Sequence, residues 1–180
     1  MEKNWKLVNT EIVYKDPVLR VEHREFHYTK SDSVGRFTVV SMKNWAVIVP
    51  VTKEGKFVLV RQFRVGTGEV AYEFPGGALE TGEEAMTGAG RELAEETGYS
   101  GRLTLLCKMR PNPAFMDNFC YVYLAEECEQ TSGLELDPFE DLEPEEFSLA
   151  ELESMILDGR VPHSISVAAY GAYRAHQKRK

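Results

Sequence analysis

The chain is poor in cysteine, with 3 in 180 residues, and Cys107, Cys120 and Cys128 show no Cys-x-x-Cys spacing. That excludes a zinc knuckle and a disulfide framework and leaves reduced, structural thiols as the expectation. Long apolar runs are also missing. The longest, Trp45 to Val51, falls far short of the ~20 residues a membrane span requires. The start, MEKNWKLV, does not lead from a charged region into a long apolar one, so a soluble cytoplasmic protein with no membrane partner is expected. Basic side chains are in deficit, 21 Lys and Arg against 29 Asp and Glu, for a formal charge of −8. Such a surface repels nucleic-acid backbones and disfavours them as partners.

What is present suits a globular chain: 43% hydrophobic and 11% aromatic residues, in a length that fits one compact unit with a small N-terminal appendage. The acidity is uneven. Residues 111–159 hold 14 acidic and no basic side chains, while 160–180 hold 5 basic and no acidic ones. Most of these carboxylates read as solvated surface.

Segments 7–13, 19–28, 36–41, 45–52 and 56–64 are rich in Val, Phe, Tyr and Trp and are separated by turn clusters, so they read as mostly antiparallel strands. Thr81 followed by Glu84 forms a capping-box pattern and Gly98 a stop, predicting a helix over 82–97 with Ala85, Met86, Ala89 and Leu93 on its apolar side. Strands are expected again near 102–110 and 118–125, then an acidic loop over 126–146 and helices at 148–158 and 164–178. This order predicts an α/β fold, a mixed sheet with helices on its faces. Residues 1–42 are expected to form an N-terminal β subdomain and 43–180 the main domain.

Within the predicted helix, Glu92, Glu95 and Glu96 stand at i, i+3 and i+4, so three carboxylates share one face. Like charges this close repel, and an all-oxygen cluster suits a hard divalent cation such as Mg²⁺ or Mn²⁺. Arg91 can satisfy one of them. Glu83 falls opposite Glu92 on an ideal helical wheel and reads as an organising residue or a helix-start charge. Gly88 and Gly90 each cost about 1 kcal/mol relative to Ala in a helix, which points to close packing of a neighbouring strand or loop.

From Gly77 the sequence GALETGEEAMTGAGRELAEETGY fits G-x5-E-x7-R-E-U-x-E-E-x-G-U, with U bulky and apolar, at every defined position: Gly77, Glu83, Arg91, Glu92, Leu93, Glu95, Glu96, Gly98 and Tyr99. This segment resembles the Nudix box. The resemblance implies a Nudix-type α/β/α sandwich and a metal-dependent hydrolase of a nucleoside diphosphate linked to another group. Its metal ligands are then Glu92 and Glu96, followed by Glu95 and the Gly76 carbonyl, with Arg91 orienting carboxylates.

The flanks resemble those of ADP-ribose pyrophosphatases and other nucleoside diphosphate sugar hydrolases. Arg61-Gln62-Phe63-Arg64 precedes Tyr72-Glu73-Phe74-Pro75-Gly76-Gly77, and the likeness implies that Arg64 holds the diphosphate. A planar guanidinium suits that contact; the plainer reading pairs Arg64 with Glu69 or Glu73. Pro113 lies near the position where that group carries a proline, though slightly closer to the box, and Gly76 stands where many members have alanine, so base and sugar stay open. The general base implied by the likeness is a glutamate on an acidic loop. Glu140 is the candidate, with Asp141, Glu143 and Glu145 as competitors. His163 reads either as a ligand contact or as a capping residue. Arg20, Arg24 and Arg36, with Tyr28, Phe37 and Trp45, are candidates for stacking on a base.

The leading expectation is Mg²⁺- or Mn²⁺-dependent hydrolysis of ADP-ribose or a related nucleoside diphosphate sugar. The rivals are a pyrophosphatase of nucleoside triphosphates or dinucleotide cofactors, and a non-catalytic ADP-ribose sensor. The family likeness also implies a homodimer joined through the N-terminal strands.

Overall fold

A computed structural model describes residues 2–179. Strands β1 (Trp5–Lys15), β2 (Leu19–Tyr28) and β3 (Ser33–Met42) form an antiparallel sheet in that order. They are followed by β4 (Trp45–Thr52), β5 (Phe57–Arg64), β6 (Glu69–Glu73), helix α1 (Ala85–Thr97), β7 (Tyr99–Met109), β8 (Cys120–Gln130), β9 (Leu142–Phe147) and helices α2 (Leu149–Leu157) and α3 (Ser164–Gln177). The chain divides into two compact units. One holds residues up to Asn44 together with Arg110–Phe119, the other Trp45–Met109 and the chain from Cys120 onward. The first unit thus draws in a ten-residue excursion between β7 and β8 that a single cut at 42/43 leaves with the main domain.

The second unit is a six-stranded mixed sheet in the order β6-β5-β4-β8-β7, with β9 paired to β5. Only β4 and β8 run parallel. Along β4 the side chains alternate with the strand period of two: Ala46 and Ile48 pack with Ala89 and Leu93 of α1, whereas Val47 and Val49 pack with Leu152 and Met155 of α2 and Ile165 of α3. Both faces of the sheet are therefore covered, giving the expected α/β/α sandwich. The continuous apolar run of β4 is explained by this double burial.

Four local expectations are corrected. Helix α1 begins at Ala85 rather than 82, because Glu84 is its N-cap and its carboxylate accepts from the Met86 and Thr87 amides. Thr81 does not cap it, and Met86 is exposed rather than on the apolar side. Strand β6 was not anticipated. Nor was β9, which lies inside the predicted acidic loop; it is an edge strand whose glutamates find partners on neighbouring elements, Glu143 on Arg61 and Glu146 on Lys56 and Tyr99. An edge also tolerates Pro144.

Candidate active site

The segment before α1 lies against β4. The Ala46 amide donates to the Gly77 carbonyl and the Ile48 amide to the Pro75 carbonyl, each at 2.9 Å. Gly76 sits between them at φ 151°, and a Cβ there would come within 2.2 Å of the Ala46 carbonyl oxygen, so only glycine fits. Its amide donates to Oε2 of Glu96 at 2.8 Å. The approach to the box is thereby tied both to the central strand and to the carboxylate helix.

Arg91 organises that helix. It donates to both oxygens of Glu83, at 3.0 and 3.1 Å, and to Glu95 at 2.8 Å, and lies 2.9 Å from Oε1 of Glu92. Glu83 stands just before the N-cap, off the helix, so the wheel that placed it opposite Glu92 does not apply. A Cβ at Gly88 would lie 2.4 Å from Leu79 and 2.8 Å from Glu83; its absence lets the preceding loop close onto the helix.

Glu92 and Glu96 are buried, 8% and 4% exposed. Burial raises the pKa of Glu92 above its ordinary value, with Arg91 opposing and the charges of Glu95 and Glu140 adding. Burial also pushes Glu96 up to about 8; the Gly76 amide opposes this, and Glu92 and Glu140 reinforce it. Two buried carboxylates whose ionised forms are disfavoured by desolvation and mutual repulsion are what an added cation would relieve. Their hard oxygen donors suit a divalent ion. Among the described residues no three His, Cys, Asp or Glu side chains already stand together as a metal cluster, and Arg91 holds Glu92 and Glu95.

The Gly76–Gly77 segment borders a pocket of about 370 Å³, lined also by Trp45, Arg64, Glu73 and His163. Arg64 donates from Nε to Glu73 at 2.7 Å, the plainer pairing anticipated for it, and it lines the pocket as well. Glu73 is 3% exposed and its other oxygen lies 2.6 Å from Nδ1 of His163. Burial would raise the Glu73 pKa, but His163 and Arg64 outweigh burial and hold it below the ordinary value. His163 is the N-cap of α3 and makes no side-chain capping bond. The approach of Glu73 to His163 was not legible in the sequence, because ninety residues separate them.

Among the base candidates, Glu140 is exposed, accepts from the Asp137 amide at 2.9 Å, and bears electrostatically on Glu92, Glu96 and Arg64. Glu143 is paired with Arg61 at 2.8 Å, and Glu145 accepts from the Tyr72 hydroxyl at 2.9 Å. Asp141 lines a smaller recess with Arg61 and Phe63. Of the stacking candidates, Trp45 lines the main pocket. In the N-terminal unit Tyr28 and Phe37 pack on Trp5, Arg20 and Arg24 pair with Glu22, and Arg36 pairs with Glu11. Pro113 belongs to a turn closed by the Met116 amide on the Asn112 carbonyl, 2.8 Å.

The NUDIX domain family pattern matches residues 42–169. The chain belongs to the Nudix family. Across its length it is 30% identical over 168 residues to a methanol dehydrogenase activator of Bacillus methanolicus, a match spanning 91% of this chain and 89% of that protein. It is 39% identical over 105 residues to an ADP-ribose pyrophosphatase of Bacillus subtilis strain 168, spanning 56% of this Nudix chain and 57% of the relative. A crystal structure of an ADP compounds hydrolase superposes with a TM-score of 0.84 at 24% identity, over 97% of this chain and 95% of that one, which shows a shared fold. No helix among the described residues of this Nudix protein is long and apolar enough to cross a membrane.

Proposed function

We propose that this chain hydrolyses the diphosphate of ADP-ribose or a related nucleoside diphosphate sugar to a nucleoside monophosphate and a sugar phosphate, with Mg²⁺ or Mn²⁺ as cofactor. The observation that carries the reading is the pair of buried glutamates, Glu92 and Glu96, beside Gly76 and next to a pocket lined by Arg64. The relative from Bacillus subtilis, named an ADP-ribose pyrophosphatase, supports the substrate class.

Glu92 and Glu96, then Glu95 and the Gly76 carbonyl, would hold the metal. When bound, a divalent ion neutralises phosphate oxygens and acidifies a water molecule, removing the repulsion that protects a diphosphate from hydroxide. Arg91 keeps Glu92 and Glu95 in place and contributes indirectly. Arg64, with Nε on Glu73, presents its guanidinium to the diphosphate. Glu140 takes the proton of the attacking water, a role supported by its electrostatic reach to Glu92 and Glu96, whereas Glu143 and Glu145 are engaged by Arg61 and Tyr72. The N-terminal sheet joins two copies of the chain.

Incubation with ADP-ribose, GDP-mannose and dGTP in Mg²⁺, with phosphomonoester release measured, tests the reading. Release from ADP-ribose or GDP-mannose well above dGTP is expected. Preference for dGTP overturns the substrate class, and no product from any of the three favours a binding-only sensor. The near full-length match to a methanol dehydrogenase activator supports a second reading, in which the chain acts on another enzyme. Adding it to a purified methanol dehydrogenase and recording a rise in rate tests that.

A further inference from the structure

We propose that the pocket receives the nucleobase of the ligand, stacked on the indole of Trp45, which makes Trp45 a specificity residue for the nucleoside half of the substrate. The inference rests on the nucleoside diphosphate sugar reading and names the half of the ligand that enters this cavity.

The wall of the cavity, about 370 Å³ in volume, is uneven in its chemistry. Its polar side chains stand together: Arg64 donates to one oxygen of Glu73 at 2.7 Å, and His163 lies 2.6 Å from the other. Apart from these and the Gly76–Gly77 backbone the wall is apolar, chiefly Val47, Phe74, Cys120 and Ile165, all members of one buried core cluster. A sugar ring turns hydroxyls outward around its edge, and each one taken from water against such a wall without a partner costs free energy. A nucleobase offers two π faces and keeps its polar atoms at the ring edge. The apolar wall therefore suits the base and not the sugar.

Trp45 supplies a surface for one of those faces. Side chains alternate along β4, so Trp45 projects to the same side as Val47 and packs against the same core cluster. It is anchored there, only partly buried, and lines the pocket. Its partner in an isolated bridge is Ala78, whose side chain is a single methyl. Among the described residues no other aromatic ring contacts Trp45, so its stacking partner comes from the ligand. Arg64, a donor only, suits the diphosphate. With the diphosphate held at Arg64, the base one sugar away reaches the apolar wall.

The test uses the fluorescence of Trp45 itself. The chain has two tryptophans, so Trp5→Phe, which keeps an aromatic ring beside Phe26, Tyr28 and Phe37, leaves Trp45 as the one that reports. Titration of this variant in Mg²⁺ with AMP is expected to quench the emission saturably, whereas ribose 5-phosphate, a phosphomonoester without a base, leaves it unchanged. By calorimetry, Trp45→Leu is expected to weaken AMP about 5-fold or more and to leave ribose 5-phosphate within about 2-fold. Trp45→Phe, which keeps a ring, should lose less. Thermal unfolding checks that each variant is folded, and the fluorescence titration does not depend on replacing Trp45. AMP that binds without changing the emission, an equal response to ribose 5-phosphate, or equal weakening of both probes in Trp45→Leu overturns the base assignment. Failure of the underlying reading looks different: wild type then releases no phosphomonoester from ADP-ribose, which overturns both, whereas a wrong base assignment leaves that release intact.

Discussion

Both carboxylate oxygens of Glu83 accept hydrogen bonds from the guanidinium of Arg91, Oε1 from Nε at 3.0 Å and Oε2 from Nη2 at 3.1 Å. The pair clamps the loop before α1 to the helix surface, and through Arg91 it reaches Glu92 and Glu95. Glu83 is 11% exposed, so truncation removes two hydrogen bonds from the guanidinium and the one from the Glu80 amide. Glu83→Ala is expected to destabilise the protein by about 1–3 kcal/mol. A differential scan should show the fall in Tm, and Glu83→Asp, too short to span both nitrogens, should fall between.

Gly76 can be probed in the same way. Gly76→Ala sets a Cβ against the Ala46 carbonyl at a φ that L residues rarely adopt, and a loss of more than about 3 kcal/mol is expected. Gly133→Ala, where nothing lies within 4 Å, should stay within about 0.5 kcal/mol of wild type. Urea unfolding midpoints compare the two.

Replacement of the proposed base separates chemistry from binding. Glu140→Gln should lower kcat by about 10²–10⁴-fold with Mg²⁺ affinity unchanged by calorimetry. Glu143→Gln and Glu145→Gln, at positions engaged by Arg61 and Tyr72, should keep most of their turnover. Near-normal kcat in Glu140→Gln removes Glu140 from the role.

Acid sensitivity should trace in part to the N-terminal unit. Burial would raise the pKa of Asp117, but the Ser41 hydroxyl and the Arg24 guanidinium outweigh it and hold the carboxyl below its ordinary 3.8. A carboxylate lowered on folding gives stability above its unfolded pKa that is lost as pH falls through the folded one. Wild type should therefore lose stability as pH falls below about 4, and Asp117→Asn should flatten that limb while lowering stability at neutral pH. Tm measured from pH 3 to 7 checks both.

The exposed apolar side chains of β1, among them Leu7, Val8, Ile12 and Tyr14, lie on an edge strand, which invites pairing. Size-exclusion with light scattering should give twice the mass of the chain, and Ile12→Lys should reduce it to that of a single chain.

Much of the architecture was legible because it rests on local periodicity. The double-sided apolar run of β4, the turn clusters and the Gly98 stop mark elements from their own composition. The helix start differs because Thr81 and Glu84 stand at the spacing of a capping box, whereas in the fold Glu84 is itself the N-cap and its carboxylate accepts the first amides. Strand β9 was hidden because alternating glutamates look like solvated loop until Arg61, Lys56 and Tyr99 stand opposite them.

By itself the sequence determined the spacing of Glu92, Glu95 and Glu96, since helical geometry converts i, i+3 and i+4 into one face whatever the surroundings. It likewise determined the family likeness carried by that spacing. Tertiary structure alone decided what those carboxylates experience: burial of Glu92 and Glu96, the clamp of Arg91 on Glu83, and the meeting of Arg64, Glu73 and His163 from β5, β6 and the start of α3. Desolvation and long-range pairing depend on which distant segments the fold brings together, and no local pattern encodes them.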